Sequence, residues 1–330
     1  IQSTKEPLVE IFQHKGSSEC NIDPNDPLCN FEQLPYKDFR SKFQNDLSSS
    51  PDSSFVREAL GNGLLSQDRQ SINPLKFGII ASTDTHLGTP GAVDESTFQG
   101  HGGAGKSFRS SIPEGLPDDI EFNPGGLAVA WAEENSRSAI FDAFKRKEVY
   151  GTSGPRFIVR FFVGDNLDKN LCNSPDNISY AYANATPMGG TISSDSLSQP
   201  SIFISASADS SIKDQFIEKL QVVKGVVRNG ELLTTVHDVG VTNAQSKLDI
   251  ASCKVTGSGE KAMCSVWNDP NFNSSENAYY YVRVVANKSC RWSHNLCLQN
   301  PEYCEADSDA SIPKVIQERA WTSPVWLETT

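Results

Sequence analysis

Residues 76–86 read KFGIIASTDTH, which is a nearly continuous apolar run followed by five polar residues. A short apolar run without alternation is typical of a strand that is buried on both faces, as in a parallel sheet. Asp84 and His86 would then follow the carboxyl end of that strand, where α/β proteins build their active sites. The stretch therefore predicts an α/β fold with a functional edge at these two residues.

Asp84 and His86 form a D-x-H pair, and both side chains are candidate metal ligands. Carboxylate oxygen and imidazole nitrogen bind Zn²⁺, Mn²⁺ or Fe²⁺. Side chains two residues apart point to the same side of an extended segment, so both could reach one site. The alternative interpretation is an Asx-turn beside a hydrogen-bonded histidine.

Glu10 is the third candidate ligand, because it stands inside the apolar sequence LVEIF at residues 8–12. An ionised carboxylate among apolar neighbours is costly unless it is paired or bound to a metal. The alternative is simple alternation, with Glu10 on an exposed face of a strand. We therefore expect Glu10, Asp84 and His86 to bind divalent metal ions, either Zn, Mn or Fe.

Two polar loops hold the remaining candidate site residues. In the QHKGSSEC loop that follows LVEIF, His14 and Lys15 are candidate catalytic groups. Lys15 is also a candidate contact for a substrate anion, and Glu19 is a candidate substrate-binding residue. His101 lies in the glycine-rich sequence GHGGAG and is a candidate for both catalysis and substrate binding, since backbone N–H groups there could approach a substrate oxyanion. The alternatives are an exposed polar turn for the first loop, and a mobile lid or a flexible connection for the second.

Patterns typical of strands dominate the later part of the sequence. Apolar residues recur at every second position over residues 157–163, and residues 279–286 read YYYVRVVA. The dipeptide Asn229-Gly230 stands between two apolar segments and is a strong hairpin signal. Several short strands with turn signals indicate an antiparallel, sandwich-like layer.

The change in pattern falls near Gly151. Just before it, Ser136 starts a predicted helix with one apolar face. The sequence therefore predicts an α/β region at residues 1–150 and a β-rich accessory region at residues 151–330.

The composition excludes two classes of partner. The chain has 330 residues and a net formal charge of −12, from 29 Lys and Arg against 41 Asp and Glu. Nucleic-acid binding requires clustered Lys and Arg, so an acidic chain of this kind argues against it. No apolar run approaches the roughly 18 residues that a membrane span needs.

The eight cysteines indicate disulfide bonds and an exported protein. Short separations suggest the local pairs Cys20 with Cys29 and Cys253 with Cys264, although eight cysteines permit many connectivities. Residues 290–304 hold three more, and their C-x₃-H-x₂-C spacing offers a zinc knuckle as the alternative. We expect a periplasmic or extracellular location.

Several segments resemble the C-terminal half of a large, mostly bacterial family that carries a domain-of-unknown-function label. That family is grouped with the PHP-type (polymerase and histidinol phosphatase) metal-dependent hydrolases. The segments that carry the resemblance are VEIFQHKGSSEC (9–20), IIASTDTHLGTPG (79–91), GHGGAG (100–105), the long block 128–162 and QERAWTSPVWL (317–327).

The resemblance implies part of a distorted PHP-like α/β barrel, with two or three metals at the carboxyl ends of its strands. In that family the ligands come from an early H-x-H motif, a later His, a mid-chain Glu and a late D-x-H. Glu10 matches the mid-chain Glu, and Asp84 with His86 matches the late D-x-H. The sequence contains no H-x-H, so the early ligands would come from a segment upstream of Ile1 or from a partner chain.

The function implied by the resemblance is a metal-dependent hydrolase. Metal-activated water would attack a small-molecule ester, most plausibly of the phosphoester type. Two alternatives stay open. One is a metal-dependent hydrolase of another ester class, such as a sulfate or carboxylate ester. The other is a non-catalytic, exported structural or binding protein that keeps the fold.

Overall fold

A computed structural model of the chain describes residues 2–33, 55–85, 88–98, 122–243, 245–299, 301 and 312–329. The described helices are α1 (Gln2–Lys5), α2 (Val56–Gln70), α3 (Arg137–Arg146), α4 (Asn177–Asn184) and α5 (Trp292–Gln299). The described strands are β1 (Leu8–Gln13), β2 (Gly16–Ser17), β3 (Gly78–Ala81), β4 (Leu127–Ala130), β5 (Val149–Thr152), β6 (Ile158–Asp165), β7 (Ala185–Pro187), β8 (Thr191–Ser193), β9 (Pro200–Ser207), β10 (Ile217–Arg228), β11 (Glu231–Val241), β12 (Ser246–Asp249), β13 (Lys254–Gly257), β14 (Ala262–Asn268), β15 (Ala278–Ala286), β16 (Ser289–Cys290), β17 (Val315–Ile316), β18 (Arg319–Thr322) and β19 (Val325–Glu328).

Strands β1 and β3 are parallel neighbours, with helix α2 between them in the sequence. Their pairing runs from Leu8 opposite Gly78 to Phe12 opposite Ala81. Strand β2 adds to the other edge of β1 in the antiparallel direction. The strand expected in the apolar run that begins at residue 76 is therefore confirmed at Gly78–Ala81. Its parallel neighbour is β1, and each of the two strands buries apolar side chains that the other strand and α2 cover.

The largest sheet has eight strands and carries most of the β structure. Six of them follow the order β11-β10-β15-β18-β5-β4, while β19 pairs with β15 and β8 pairs with β19. A second sheet has four antiparallel strands in the order β14-β9-β6-β7. Strand β15 is buried along its whole length. Two separate two-stranded antiparallel sheets complete the β structure described: the short hairpin β12-β13, and β16-β17, whose strands are far apart in the sequence.

Both faces of the eight-stranded sheet are covered. On one face Val222 packs in a core with Phe161 of the four-stranded sheet. On the other face Val223 packs in a second core with Leu60 of α2 and Ile11 of β1. Successive residues of a strand point to opposite faces of the sheet, so each buried strand contributes side chains to both cores. The result is a β sandwich with a helix and a small mixed sheet on its outer side.

The expectation of a PHP-like α/β barrel is wrong. The described residues are mostly β, and their strands form several open sheets with no closed barrel. Only β1 and β3 show the helix-linked parallel pairing on which the expectation rested. The β-rich region, expected as an accessory layer, forms the main body, because its long strands β10 and β15 supply residues to both cores.

Strand β5 (Val149–Thr152) runs across the division expected at residue 150. It pairs with β4 on one side and with β18, near the end of the chain, on the other. The register places Gly151 opposite Trp321. The strands before and after residue 150 therefore share one sheet.

The hairpin expected at Asn229-Gly230 is confirmed. Strands β10 and β11 pair in the antiparallel direction up to Arg228 opposite Glu231, which leaves a two-residue turn. Asn229 and Gly230 have φ angles of 54° and 78°. A turn with positive φ at both central residues matches the twist of the strands and favours Asn-Gly.

Helix α3 begins where the sequence indicates, because the Ser136 hydroxyl accepts a hydrogen bond from the Ala139 N–H at 3.3 Å. We expect Ser136→Ala to reduce the free energy of unfolding by about 1 kcal/mol, the usual loss for an N-cap hydroxyl. Urea denaturation would measure this. Ser136→Thr keeps a hydroxyl and should recover most of the loss; equal losses in the two variants would contradict the capping role.

Three disulfide bonds join described cysteines. The pair Cys20–Cys29 is confirmed. The expected pair of Cys253 with Cys264 is wrong: Cys264 bonds Cys172, and Cys253 bonds a residue of the 290–304 cluster, Cys290. The sheet explains the difference, because pairing of β14 with β9 holds Cys264 beside the residues that precede α4 rather than near its neighbour in sequence.

Candidate functional site

Glu10 and Asp84 lie near each other at the carboxyl ends of β1 and β3. The side-chain amide of Gln13 connects them: its Nε2 donates to Glu10 Oε2 at 3.2 Å and to Asp84 Oδ2 at 2.8 Å. The Ser82 hydroxyl also donates to Glu10 Oε1. Glu10 is half-buried, not enclosed by its apolar neighbours. The parallel pairing therefore brings together two of the predicted ligands that are 74 positions apart in the sequence.

The backbone at Asp84 is not extended. Its φ angle is 51°, in the left-handed region that Asp tolerates better than most residues. The expectation that Asp84 and His86 share one side of an extended segment is therefore wrong at its first residue. The side chain of Asp84 is 44% exposed. His86 itself lies outside the described residues.

His14 is held between the strand ends and a neighbouring loop. Its Nε2 is 3.7 Å from Asp84 Oδ2, and only 12% of its side chain is exposed. The imidazole ring lies 5.4 Å from the ring of Phe122, centroid to centroid. The His14 N–H donates to the Thr83 carbonyl at 3.2 Å. The structure thus brings His14 to the same two strand ends as the predicted ligands.

Lys15 places a positive charge beside the two carboxylates. Burial lowers the pKa of Lys15, while the negative charges of Glu10 and Asp84 act in the opposite direction. The Lys15 ammonium donates to the Ser18 hydroxyl. Four of the predicted residues, Glu10, His14, Lys15 and Asp84, therefore form one cluster at this edge, which we call the strand-end cluster.

The loop at 122–126 closes one side of the strand-end cluster. The Asn123 N–H donates to the His14 carbonyl and the Gly126 N–H to the Ser82 carbonyl, each at 2.7 Å. Gly125 has a φ angle of 91°, and a Cβ there would lie 2.6 Å from the Thr83 Cα. Only glycine permits this approach. The loop fixes the backbone on either side of Asp84 and His14.

Glu19 belongs to a different environment, a buried ionic cluster between β15 and β18. Its Oε1 accepts from Arg57, Arg283 and Tyr281, at 2.7, 3.0 and 2.8 Å. Its Oε2 accepts from the Trp321 indole at 2.7 Å. Only 1% of Glu19 is exposed. Both carboxylate oxygens are thus bound to protein donors, which gives Glu19 a structural role in the interior.

Asp26 completes this buried ionic cluster. It receives Arg57 Nη1 at 2.9 Å and Arg283 Nη2 at 2.9 Å, so two carboxylates face two guanidinium groups. Burial alone would raise the pKa of Glu19, but Arg283 and Arg57 outweigh it and hold this pKa well below its ordinary value. We refer to Glu19, Asp26, Arg57 and Arg283 as the interior ion cluster.

A divalent ion would find part of its ligand set in the strand-end cluster. Two carboxylates and an imidazole nitrogen are suitable donors for Zn²⁺ or Mn²⁺, and Glu10 and Asp84 are close enough to share one donor. Within the described ranges, however, three candidate ligand atoms come within 4.8 Å of one another only in two groups that contain disulfide cysteines. The donors present fit a metal but do not by themselves enclose one.

The disulfides also argue against the zinc-knuckle alternative. Cys290 is bonded to Cys253, and Cys297 is disulfide-bonded as well. The His294 ring nitrogen Nε2 lies 2.8 Å from the Ile250 carbonyl oxygen. A disulfide sulfur is not the thiolate that binds zinc. The C-x₃-H-x₂-C spacing is therefore part of a disulfide framework.

The sequence analysis missed Gln13, which joins the two carboxylates. Its only signal was its place three residues after Glu10, at the end of the same strand. His101 lies outside the described residues, as His86 does, so these two site residues remain predictions.

None of the described helices combines the length and the apolar character that crossing a membrane requires.

Comparison with known proteins gives one match. The model of a family described as protein of unknown function (DUF3604) covers residues 1–329. No curated protein and no solved structure matches the chain. The family match spans the strand-end cluster, the interior ion cluster and the whole β sandwich. On this coverage, the chain belongs to the DUF3604 family of proteins of unknown function.

Proposed function

We propose that the protein is a metal-dependent hydrolase that uses the strand-end cluster. The observation that supports this most is the shared donor: Glu10 and Asp84 both accept from the Gln13 amide at the carboxyl edge of two parallel strands. Two carboxylates this close repel each other, and a cation between them removes that cost. The same edge is where α/β units commonly bind their ligands.

Each residue of the strand-end cluster would have a separate role in the reaction. Glu10 and Asp84 would hold a divalent ion, which when bound supplies an activated water and polarises a substrate oxygen. His14, with Nε2 3.7 Å from Asp84, is placed to take up or release a proton. The Lys15 ammonium would face an anionic substrate oxygen, which favours a phosphoester over a neutral carboxylate ester. Sulfate esters share this charge and remain the nearest rival substrate class.

The rest of the ligand set would come from elsewhere. His86 follows Asp84 by two residues and is the first candidate. Residues outside the described ranges, or a partner chain, are the second. Metal binding is the most direct measurement of this proposal.

We expect Glu10→Gln and Asp84→Asn each to weaken Mn²⁺ binding by about tenfold or more, since each removes a charged oxygen donor while keeping the side-chain shape. Isothermal titration calorimetry would measure the affinity. Asp68→Asn, an exposed residue of α2, is the matched control and should bind as the parent does. Unchanged affinity for Mn²⁺ in both site variants would contradict the assignment of Glu10 and Asp84 as ligands.

A screen of p-nitrophenyl phosphate, sulfate and acetate with added Mn²⁺ or Zn²⁺ would identify the ester class. Hydrolysis of the phosphate ester, lost in Asp84→Asn, is the expected result.

The second candidate function is a non-catalytic exported binding protein. The disulfide-bonded sandwich that makes up most of the described chain favours it. Metal binding without hydrolysis of any ester would support this candidate.

The disulfides also support a proposal on location. Three bonds among described cysteines are typical of a protein that folds in an oxidising compartment. We place the protein in the periplasm or outside the cell. Labelling of intact cells with a membrane-impermeant reagent would test this, and labelling only after lysis would contradict it.

A further inference from the structure

A cleft of about 340 Å³ opens on another part of the surface and shares no residue with the strand-end cluster. It lies between the turn at residues 93–96, the loop at 154–156, the loop at 209–215 and the Cys253–Cys290 disulfide. Its volume is at the lower end of the range for small-molecule sites. The described side chains that line it include five acids and two bases: Asp94, Glu95, Asp209, Asp214, Glu318, Arg156 and Lys213.

Glu318 forms part of the floor of this cleft. The residue is 3% exposed, and its Oε2 accepts from the Ser153 hydroxyl. Among the described residues none donates a hydrogen bond to its other oxygen, Oε1. Gly154 stands beside that oxygen, and a Cβ at Gly154 would lie 3.6 Å from it. A carboxyl oxygen that no described residue donates to, on a largely buried side chain that lines an open cleft, is suited to a ligand that brings its own donor.

Burial and nearby charges affect the pKa of Glu318. Burial, followed by the negative charge of Glu95, raises the pKa of Glu318 well above its ordinary value. Glu32 acts in the same direction, and Arg319 and the Ser153 hydroxyl act against it. A positively charged ligand at Oε1 would favour the ionised form, so such a ligand would displace a proton from this group.

Glu95 stands beside Glu318 and behaves in the same way. Burial raises the pKa of Glu95 to about 8, in spite of the attraction of Arg291. The charges of Glu32 and Asp94 add to the increase, and the Trp292 N–H opposes it. The floor of the cleft therefore holds two carboxyl groups whose raised pKa values a bound cation would lower.

The walls favour an organic cation over a metal ion. Val93, Val255 and the disulfide present apolar surface that suits a hydrocarbon chain. A metal ion needs several oxygen atoms close together, and no group of three carboxylates in the described parts of this cleft meets within 4.8 Å. The Asp209 carboxylate is already bound, since it accepts from the N–H groups of Arg156 and Ser211 at 2.7 and 2.9 Å.

We propose that this cleft binds a small alkylammonium compound, with the ammonium group on Glu318 Oε1 and the hydrocarbon chain against the apolar walls. The probe is 1,5-diaminopentane, followed by isothermal titration calorimetry on the whole protein. Its neutral analogue 1,5-pentanediol has the same length and should bind at least tenfold more weakly, because it cannot form a charged hydrogen bond with the carboxylate. Equal affinity for the two compounds would contradict the proposal.

Glu318→Gln keeps the shape of the side chain and removes its charge, so we expect about tenfold weaker binding of the diamine or more. Glu231→Gln, at the exposed tip of the β10–β11 hairpin, is the matched control and should bind as the parent does. Undiminished binding in Glu318→Gln would overturn the assignment. Binding of Ca²⁺ with no binding of the diamine would overturn the choice of an organic cation.

A second measurement needs no variant. Titrations in two buffers of different ionisation enthalpy would report the protons released when the diamine binds to the parent protein. Near neutral pH we expect release of a proton, and binding that tightens as the pH rises, because the free protein holds the pKa of the Glu318 carboxyl above its ordinary value. Binding without proton release would show that the ammonium does not reach the carboxyl pair, and would overturn the proposal.

Discussion

Glu19→Ala is expected to destabilise the protein by about 3–5 kcal/mol, the usual cost of removing one partner from a buried ion pair. The substitution leaves Arg57 and Arg283 facing only Asp26, in a site where both guanidinium groups are buried. It also leaves the indole N–H of Trp321 without its acceptor. A loss of this size is a large fraction of the stability of an ordinary domain.

Urea denaturation followed by tryptophan fluorescence would measure the loss. Glu133→Ala removes an exposed glutamate and should change the free energy of unfolding by less than about 0.5 kcal/mol. Glu19→Gln keeps an acceptor for Trp321 and Tyr281, so its loss should fall between the two. A loss in Glu19→Ala no greater than in the exposed control would show that the interior ion cluster contributes nothing net.

The interior ion cluster also sets a dependence on pH. The pKa of Glu19 is lower in the folded protein than in the unfolded chain, where a glutamate titrates near about 4.3. The unfolded state therefore binds the proton more readily, and the contribution of Glu19 is complete above that pH and is lost as the pH falls below it. Parent and Glu19→Gln should thus converge in stability below about pH 4 and differ most near neutral pH. A constant difference across this range would contradict the linkage.

Removal of the Cys172–Cys264 disulfide is expected to cost about 4 kcal/mol. The bond closes a loop with a sequence separation of 92, and the entropy that a cross-link removes from the unfolded chain grows with loop length. It also ties the segment before α4 to β14 at the edge of the four-stranded sheet. The double variant Cys172→Ala/Cys264→Ala, measured by urea denaturation under oxidising conditions, would show the effect.

The reduced proteins supply the control for this experiment. With all disulfides reduced, the parent loses the same cross-link, so the parent and the double variant should agree within about 1 kcal/mol. If the full difference persists after reduction, lost packing around the two side chains is its cause, not the cross-link. Agreement in the reduced state together with a large difference in the oxidised state is the result we expect.

Local features of this fold were predictable from the sequence. The apolar runs that became β1 and β3, the Asn229-Gly230 turn and the start of helix α3 at Ser136 each depend on residues within a few positions of one another. Apolar periodicity and backbone preference decide such elements before any tertiary contact forms. Four residues of the candidate site were placed together for the same reason, since two parallel strands align their carboxyl ends.

Apart from the backbone at Asp84, the failures concern pairings that are distant in the sequence. The α/β barrel was inferred from one parallel pair, but β5 joins β18 across about 170 positions, and no local pattern encodes that choice. The exchange of cysteine partners follows from the β9–β14 pairing in the same way. Glu19 looked like a loop residue because its guanidinium partner Arg283 lies 264 positions away. Burial of a charge is decided by partners that the local sequence does not contain.

The interior ion cluster has a consequence for how the chain folds during synthesis. Glu19 bonds Trp321 across 302 positions, and β1 shares a core with Trp321, so that core cannot be completed until Trp321 has left the ribosome. Contacts of such separation make folding slow, because the closure of a long loop precedes any gain from the contact. A nascent chain of this design stays incompletely folded while the segment between these residues is being made. For the export proposed above, that delay would keep the chain unfolded enough to pass a secretion channel, and folding would be completed on the far side, where disulfides can form.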